Sequence, residues 1–568
     1  MAVGSVGGTY GLSGSGMDID SIVKKLMTGQ QAKDDALVQK KTVSQWQKAA
    51  YNTVYDDISN FRTTAFNYKL QANLSPNKVF SSNLSVATAT ANAGAADVNH
   101  SLVVAQLASG VNLTSTIPIV SGADKTTLAT QMGVVNSFTM NISNGTATKS
   151  ISISPSESIN QVVSDINGAG INVQASYDST LDRFFLSTTN TGSTTGINIT
   201  TTSTNTTATD DGGNFITKLH LFPTTAPNAT NNTGGTITPS IITLAGADTT
   251  TSTSFSSPIG KNAIFQLDGV GLTEGGNTFN ISGVNYNLTG VSSGTLAGDG
   301  VAAQGFSGQA TSVSVTNDVD TAVASIQSLV DSYNKILAEV NGKVNEQRFT
   351  DYPPLTDAQK AAMKDSDIVA WNAKAQSGML HSDTTLTSLV NNMRSSFSGP
   401  VSGITPTIVS GVPVTYNSAA SIGITTGDYT EGGKLYLNTD KLRTALQANP
   451  NVLNQLFGAA GTTTTINGKT TTDSNTQGIA GRLYDGIKNT MDQLNQIAGT
   501  TANAQYDTSS NVAKQIIAYN TQISDGTTTF NTMQAAYYTQ YNAMEVALQS
   551  LTSQASWLSS QLGTTVTG

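Results

Sequence analysis

The chain has 568 residues, of which 38% are hydrophobic and only 11% are charged, and its formal net charge is −9. A chain this acidic lacks the basic surface that binds nucleic-acid phosphates or anionic membrane surfaces. It contains no cysteine, which excludes disulfide frameworks, cysteine-ligated metals and thiol chemistry.

The first twenty residues have neither the basic start nor the apolar stretch of a cleavable signal peptide. No run of about 18 apolar residues predicts a transmembrane helix, so we expect no membrane insertion. The protein is therefore expected to be cytoplasmic or to leave the cell without signal cleavage. Residues 1–16 are rich in Gly and Ser, which predicts a disordered start.

A helical pattern begins near Asp18, and Asp18 or Asp20 can cap the first turn. Further along, apolar residues recur at alternating steps of three and four, which is typical of a coiled coil. This N-terminal stripe consists of Tyr51, Val54, Ile58, Phe61 and Ala65.

The middle of the chain changes character. Residues 79–200 alternate between apolar and polar side chains in short runs, which predicts strands, with one short helix from about Ser158 to Ala169. Residues 200–260 are rich in Thr and almost uncharged, so we expect surface strands or long loops there and not a core. Residues 262–315 return to strands, with a turn at Asp268-Gly269.

A second helical block is predicted from about Asn317. The segment from Asp351 to Asp357 contains two prolines and predicts a rigid turn, after which Thr356 or Asp357 can cap a helix that runs to about Lys374. Three further helices are predicted at 383–395, 438–448 and 479–497, with a β-hairpin region at 401–437.

The C-terminal helix carries a narrow stripe at a strict spacing of four and three. The stripe consists of Tyr537, Tyr541, Met544, Leu548, Leu551, Ala555, Leu558 and Leu562. It is too narrow for an ordinary globular helix and indicates a partner helix. Two partners fit: the N-terminal helix of the same chain and neighbouring subunits. Its Tyr and Met residues suit a seam that slides or exchanges partners.

Three stretches match one family in the family's order. The first runs from Gly11 to Met27 and continues at Gln45–Gln47. The second is Asp351–Gln359, and the third runs from Gly433 to Leu483. Together they resemble flagellar hook-associated protein 2, the flagellar filament cap. Further matching positions follow the second stretch, namely Ile368, Trp371, Lys374 and Gly378 to Leu380.

The resemblance implies a multidomain α+β protein, with helical coiled-coil termini, a helical leg domain, and β-rich head domains inserted between them. It implies unfolded export through the flagellar type III system and an extracellular position at the flagellum tip. There a homo-oligomeric ring would promote the folding and insertion of flagellin and prevent its loss. Hook-filament junction proteins and an export chaperone are the other partners expected.

The expected domain boundaries follow from the resemblance and the walk along the chain. A disordered or coiled-coil segment spans 1–75, and the leg domain begins at 76–110. The β-rich heads span 111–315 and include the Thr-rich stretch 200–260. The leg continues at 316–499, and a C-terminal coiled-coil helix at 500–568 pairs with the N-terminal segment.

The oligomerisation and filament contacts are expected on the two stripes. The residues chosen are Tyr537, Tyr541, Met544, Leu548, Leu551, Leu558, Leu562, Val54, Ile58 and Phe61.

The patterns that could suggest an enzyme or a metal site are weak. His100, His220 and His381 lie far apart in sequence, and Gly290–Gly294 fits a nucleophile elbow without the strand and helix that such an elbow needs. Asp210–Asn214 lacks the spaced carboxylates of a calcium loop, and we expect a solvated turn there. The sequence therefore predicts no catalytic residue, no cofactor and no metal.

Two other functions remain open at this stage: a surface adhesin, or another axial flagellar protein such as a hook-filament junction subunit. The block at 351–357 and Trp371 favour the cap, because they resemble that family and not the junction proteins. The Thr-rich stretch favours a solvated spacer over a glycan-binding face, since only Phe215 and Phe222 are aromatic between Ser187 and Phe255.

Overall fold

The computed structural model describes residues 18–70, 74–93, 95–119, 124–203, 211–223, 242–244, 251–257, 259–293 and 308–561. The chain divides into two compact units, and the second, Ser75–Asp318, is inserted into the first, which comprises the residues up to Leu74 and from Val319 onward. The first is called the helical unit and the second the β unit. This confirms the predicted α+β class with a β-rich insertion.

The helices, in chain order, are α1 (Ile19–Asn67), α2 (Leu128–Met132), α3 (Ile159–Gly168), α4 (Asp211–Lys218), α5 (Val319–Asn345), α6 (Asp357–Ala362), α7 (Asp365–Gln376), α8 (Thr384–Ser398), α9 (Thr439–Ala448), α10 (Val452–Leu456), α11 (Ile479–Ala498) and α12 (Asn511–Gln561).

The strands of the β unit are β1 (Asn77–Ser81), β2 (Ala87–Ala91), β3 (Val98–Gln106), β4 (Asn112–Ser115), β5 (Phe138–Ser143), β6 (Thr148–Ile153), β7 (Val173–Asp178), β8 (Arg183–Thr188), β9 (Asn198–Ser203), β10 (Leu221–Pro223), β11 (Ile242–Leu244), β12 (Thr251–Ser256), β13 (Ala263–Leu267), β14 (Val270–Glu274), β15 (Thr278–Ile281), β16 (Val284–Leu288) and β17 (Thr311–Asn317). The helical unit adds β18 (Thr407–Val409), β19 (Val412–Val414), β20 (Ile424–Thr426), β21 (Leu435–Leu437), β22 (Thr463–Ile466) and β23 (Lys469–Thr472).

The described residues of the β unit form two large cores and a small third cluster around Val103 and Ile264. The first lies between the sheet β1-β17-β3-β13-β14 and the sheet β15-β16-β2, where the rings of Phe265 and Phe279 stack with centroids 4.5 Å apart. The second is enclosed by β10-β4-β8-β7, β11-β12-β9-β5-β6 and the helices α2 to α4. The predicted turn at Asp268-Gly269 joins β13 to β14 with positive φ at both residues, which confirms it.

Residues 76–110, which we expected to begin the leg domain, contribute strands to the β unit. β1 pairs with β17, and β3 pairs with both β17 and β13. Backbone hydrogen bonding to strands more than 150 residues later therefore groups this segment with the insertion.

The expectation of no core within 200–260 was wrong for residues 211–221. Phe215 and Ile216 in α4 are buried in the second core of the β unit. Asp211 also differs from the expected solvated turn, because it is 1% exposed and its carboxylate accepts hydrogen bonds from the Val135 and Asn136 amides at 3.0 and 3.1 Å. The signal that was missed is the group of apolar residues Phe215, Ile216, Leu219 and Leu221, which the general richness in Thr obscured.

In the helical unit, the second half of α1 packs against α5 and α11, and these helices share one large core with α8 and α9. Tyr333 of α5 lies at its centre, with its ring edge-on to Phe61 at 6.3 Å and to Phe397 at 5.1 Å. The Tyr51 hydroxyl donates to the Asp383 carboxylate at 2.6 Å and so ties α1 to the first turn of α8.

The block at 351–376 confirms the predicted turn and cap. Thr356 and Gln359 form a capping box at the start of α6. The indole N–H of Trp371 donates to the Pro353 carbonyl at 2.8 Å, and the Lys374 ammonium lies 4.6 Å from the centre of the Tyr352 ring. The predicted single helix is instead two, because the backbone is extended at Met363 and Lys364.

Candidate interaction surface of the terminal helices

The first terminal helix, α1, begins where the sequence predicts. The Asp18 carboxylate accepts a hydrogen bond from the Ser21 amide at 3.0 Å, which caps the helix and lowers the pKa of Asp18. The helix then continues for 49 residues. Its first half packs against α12 and its second half enters the core of the helical unit.

The second terminal helix, α12, runs for 51 residues from Asn511. Its start is fixed by Ser510, whose hydroxyl accepts from the Ala513 amide at 3.2 Å. Because Lys48 of α1 pairs with Asp507 before α12, while Asp20 accepts from the Tyr538 hydroxyl at 3.0 Å, the two helices run antiparallel.

A small apolar cluster forms the far end of this helix pair. Ile19, Val23 and Met27 of α1 are buried, and the residues of α12 packed against them are half-buried. These partners are Phe530, Met533, Tyr537, Tyr538 and Tyr541. Intramolecular pairing of the N- and C-terminal helices is thus observed for the aromatic part of the C-terminal stripe.

The two helices approach closely at Gly526. A Cβ at this position would lie within van der Waals overlap of the Asp34 carboxylate, at 2.3 Å from Oδ1. Asp34 is held by Gln30, whose amide donates to the same oxygen at 3.1 Å. Gly526 lies eleven residues before Tyr537, at a point where a larger side chain would hold the two helices apart.

The stripe continues beyond the residues that α1 covers. Leu548 is half-exposed, and Met544, Leu551 and Leu558 are 39%, 60% and 52% exposed. With Ala555 between Leu551 and Leu558, these four residues continue the spacing of four and three after Tyr541, and we call the four the open stripe. Leu562, the last residue of the predicted stripe, lies outside the described residues.

The N-terminal stripe has a different environment. Val54, Ile58 and Phe61 are 3%, 0% and 4% exposed, within the core of the helical unit. Their coiled-coil-like spacing is therefore satisfied by helices of the same chain. Among the residues we chose, those with exposed side chains lie on α12.

The sequence did not identify the contacts that position the helix pair. Lys48 and Asp507, 459 positions apart by their residue numbers, are joined by a 2.8 Å ion pair. Gly526 could have been noticed only as a glycine inside the predicted C-terminal helix, where glycine costs stability relative to alanine. The Lys48–Asp507 pair leaves no comparable signal in a single sequence.

The described residues hold no group of three or more His, Asp or Glu side chains that could bind a metal ion. None of the described helices combines the length and hydropathy needed to cross a membrane. Of the three histidines, His100 pairs with Asp268 at 2.6 Å between Nδ1 and Oδ2, at the β13–β14 turn. Ser292, inside the apparent elbow pattern, accepts from the Val104 amide at 3.0 Å and so has a structural role.

Two family models match the chain. The model described as the flagellar hook-associated protein 2 C-terminus matches residues 260–553, just over half of the chain, and the model of its N-terminus matches residues 15–110. Flagellar hook-associated protein 2 of Halalkalibacterium halodurans is 26% identical over 572 aligned positions, which cover 95% of this chain and 97% of that protein.

Solved structures are also similar. The D1-D2-D3 domains of the flagellar cap protein FliD from Escherichia coli align with a TM-score of 0.49 and 18% identity, covering 83% of this chain and 99% of that one. The FliD D2-D3 domains from Serratia marcescens align with a TM-score of 0.25 and 20% identity, covering 36% and 94%. On the evidence of the two family models, the chain belongs to the flagellar hook-associated protein 2 family, the structural proteins that cap the tip of the flagellar filament.

Proposed function

We propose that the open stripe of α12 is the surface through which this cap protein contacts neighbouring copies of itself and the filament end. The carrying observation is that a single stripe packs against α1 up to Tyr541 and then continues, in register, with exposed Met544, Leu551 and Leu558. These three side chains keep 39% to 60% of their surface exposed.

The geometry gives the open stripe useful reach. Residues 542–561 extend α12 by twenty residues past the last aromatic contact with α1, which is about 30 Å at the rise of an α-helix. A lone helix of this length is marginal in water. Burying the four apolar side chains against another helix would contribute about 1.5–3 kcal/mol each at most.

The half-buried aromatic residues suit a seam with more than one partner. Tyr537 and Tyr541 touch α1 but keep part of their surface exposed. A third helix can therefore lie beside the α1–α12 pair without separating it. This supports the proposal that the intramolecular and intermolecular pairings expected from the sequence exist together.

The other proposed partners are those that the family leads us to expect. We propose that the β units form an oligomeric plate and that flagellin folds and inserts beside the helical units. Hook-filament junction proteins and an export chaperone complete the proposed partners. Export through the flagellar type III system is supported by the absence of cysteine, since no disulfide has to be kept open during unfolded passage.

The proposal contains no chemical step, since the family is a structural one. The surface adhesin and the hook-filament junction subunit that the sequence left open gain no support from the family models, which describe hook-associated protein 2 along both parts of the chain.

The test compares two faces of one helix. Leu551→Ser with Leu558→Ser removes two apolar side chains from the open stripe. Val546→Ser with Trp557→Ser removes two that are similarly exposed, at 66% and 64%, on the opposite face. Molar mass by light scattering over a concentration series, and capping of filaments in a strain lacking the native protein, are measured for both.

We expect the open-stripe variant to lose oligomer mass and to let flagellin escape into the medium, while the opposite-face variant behaves like the parent. Equal loss in both variants would show that general hydrophobicity, and not the stripe, drives assembly. Normal assembly and capping in the open-stripe variant would overturn the proposal.

A further inference from the structure

The hairpin of β22 and β23 consists almost entirely of threonine. Three of its four cross-strand pairs are Thr with Thr: Thr463 with Thr472, Thr464 with Thr471, and Thr465 with Thr470. The connecting Asn467 and Gly468 have φ of 51° and 76°, as a type I′ turn requires. This turn fixes the register of β22 and β23, so their pairing does not require that one face of the hairpin be buried.

This hairpin stands apart from the core. Each threonine from Thr462 to Thr472 is exposed, whereas the β20–β21 hairpin buries Ile424 and Leu435. Among the described residues, no third strand pairs with β22 or β23. An isolated two-stranded hairpin is marginally stable in water and gains stability when another strand is added.

The alternation of hydrogen-bonded pairs shows which main-chain N–H and C=O groups form no bond within the hairpin. The Asp473 amide donates to the Thr462 carbonyl at 2.8 Å. In an antiparallel pair, hydrogen-bonded and non-hydrogen-bonded pairs alternate, so the pair Thr464–Thr471 is bonded within the hairpin. The main-chain groups of Thr463, Thr465, Thr470 and Thr472 therefore point outward along the two edges. The Oγ1 atoms of Thr465 and Thr470 are 2.9 Å apart, as expected for a non-hydrogen-bonded pair.

Neither β22 nor β23 contains a proline, and the one charged residue of the two strands, Lys469, stands beside the turn at a position bonded within the hairpin. Proteins discourage edge pairing with proline, charged side chains or a covering element, and β19 carries Pro413. The four outward-facing positions of β22 and β23 are all threonine, a β-branched residue that favours strands. We infer that one edge of this hairpin pairs, by main-chain hydrogen bonds, with an extended strand of a second copy of the chain.

The choice of a second copy follows from energetics. Threonines offer neither a charge nor a large apolar anchor, so a partner would be held by a few main-chain hydrogen bonds alone. Such bonds are individually weak in water. They are sufficient where the partner strand is already at high effective concentration, as it is inside an oligomer. The inference therefore rests on the homo-oligomer of the proposed function.

Hydrogen exchange with residue-level fragmentation tests the inference on the full-length protein, at concentrations below and above assembly. We expect the amides of Thr463 and Thr465, or those of Thr470 and Thr472, to exchange at least about tenfold more slowly after assembly. The amides of Thr464 and Thr471 are the internal control, since they are already bonded within the hairpin.

Proline variants identify the edge. Thr465→Pro and Thr470→Pro each remove one outward N–H without breaking a bond of the hairpin, while Thr465→Val and Thr470→Val keep it. We expect one of the proline variants to weaken association about fivefold to tenfold, with no effect of either valine.

The outcomes separate the two claims. An oligomer in which the outward amides exchange as fast as in the monomer, and in which all four variants associate equally, overturns the hairpin inference and leaves the open stripe untouched. A chain that stays monomeric at every concentration contradicts both.

Discussion

The Nζ of Lys48 lies 2.8 Å from Oδ2 of Asp507, and the two side chains are only 12% and 5% exposed. Lys48 also donates to the Ala504 carbonyl at 3.2 Å, and Asp507 accepts from the amides of Ser509 and Ser510, each at 3.0 Å. One carboxylate thus fixes both the start of α12 and its attachment to α1. This junction of Lys48 and Asp507 therefore sets the direction of α12, which carries the open stripe.

Replacing one partner of the junction is expected to loosen the helix pair. Asp507→Asn leaves the largely buried Lys48 ammonium without its counter-charge, which costs about 1.5–3 kcal/mol. We expect faster hydrogen exchange in the first turns of α12 and no change in the β unit. Lys488→Met is the control, since it removes an exposed ion pair with Asp492, and exposed pairs contribute little.

The same junction predicts a dependence on pH. Burial by itself raises the pKa of Asp507, but the hydrogen bonds from Lys48, Ser510 and Ser509 outweigh it and hold the pKa well below its usual value. A carboxylate whose pKa is lower in the folded state contributes stability above its unfolded pKa of 3.8. This stability is lost as the pH falls through the pKa of the folded state. The free energy of unfolding of the helical unit, measured with denaturant, should differ most between the parent and Asp507→Asn at pH 7. This difference should shrink below about pH 4. A difference that is constant down to pH 2 would contradict this account.

The close approach at Gly526 predicts that Gly→Ala has opposite effects on helix stability at Gly526 and at Gly29. Gly→Ala within a helix gains about 0.5–1 kcal/mol, and Gly29→Ala should show this gain, because nothing lies near its missing Cβ. Gly526→Ala should lose it, since the new methyl group displaces the Asp34 carboxylate and its bond from Gln30. Hydrogen exchange along α1 measures the first effect and exchange along α12 the second, and equal stabilisation would mean that the helices separate at Gly526 at no cost.

The buried N-terminal stripe predicts loss of folding and not of assembly alone. Ile58→Ala and Phe61→Ala leave cavities in the core of the helical unit, each costing about 2–5 kcal/mol. Calorimetry should show earlier unfolding of the helical unit with the transition of the β unit unchanged. Variants that fold normally but fail to oligomerise would instead make these residues intermolecular contacts.

The Trp371 indole predicts a local effect on the 351–376 block. Trp371→Phe removes the hydrogen bond to the Pro353 carbonyl, about 0.5–1.5 kcal/mol. Limited proteolysis should cut between Phe349 and α7 more readily, while Val369→Ala, at a 69% exposed position of the same helix, should leave the pattern unchanged. Equal cleavage of both variants and the parent would show that the prolines alone hold the turn.

Local signals were sufficient for much of the fold. The cap at Asp18, the capping box at Thr356 and the turn at Asp268-Gly269 each depend on residues within four positions of one another. The missed core helix α4 shows where such signals fail, because its burial is decided by distant strands and the Thr-rich context hides its short apolar face.

The sequence by itself determined the element types, the insertion of β-rich domains between helical parts, and the family. It also determined that an apolar stripe of the C-terminal helix requires a partner helix. It could not determine which stripe stays exposed, because periodicity records that a face is apolar and not what covers it. The tertiary structure decided that Ile58 and Phe61 pack inside the helical unit while Leu551 and Leu558 remain open. It did so through contacts that no local pattern encodes: the ion pair of Lys48 with Asp507, and the space that Gly526 leaves for Asp34.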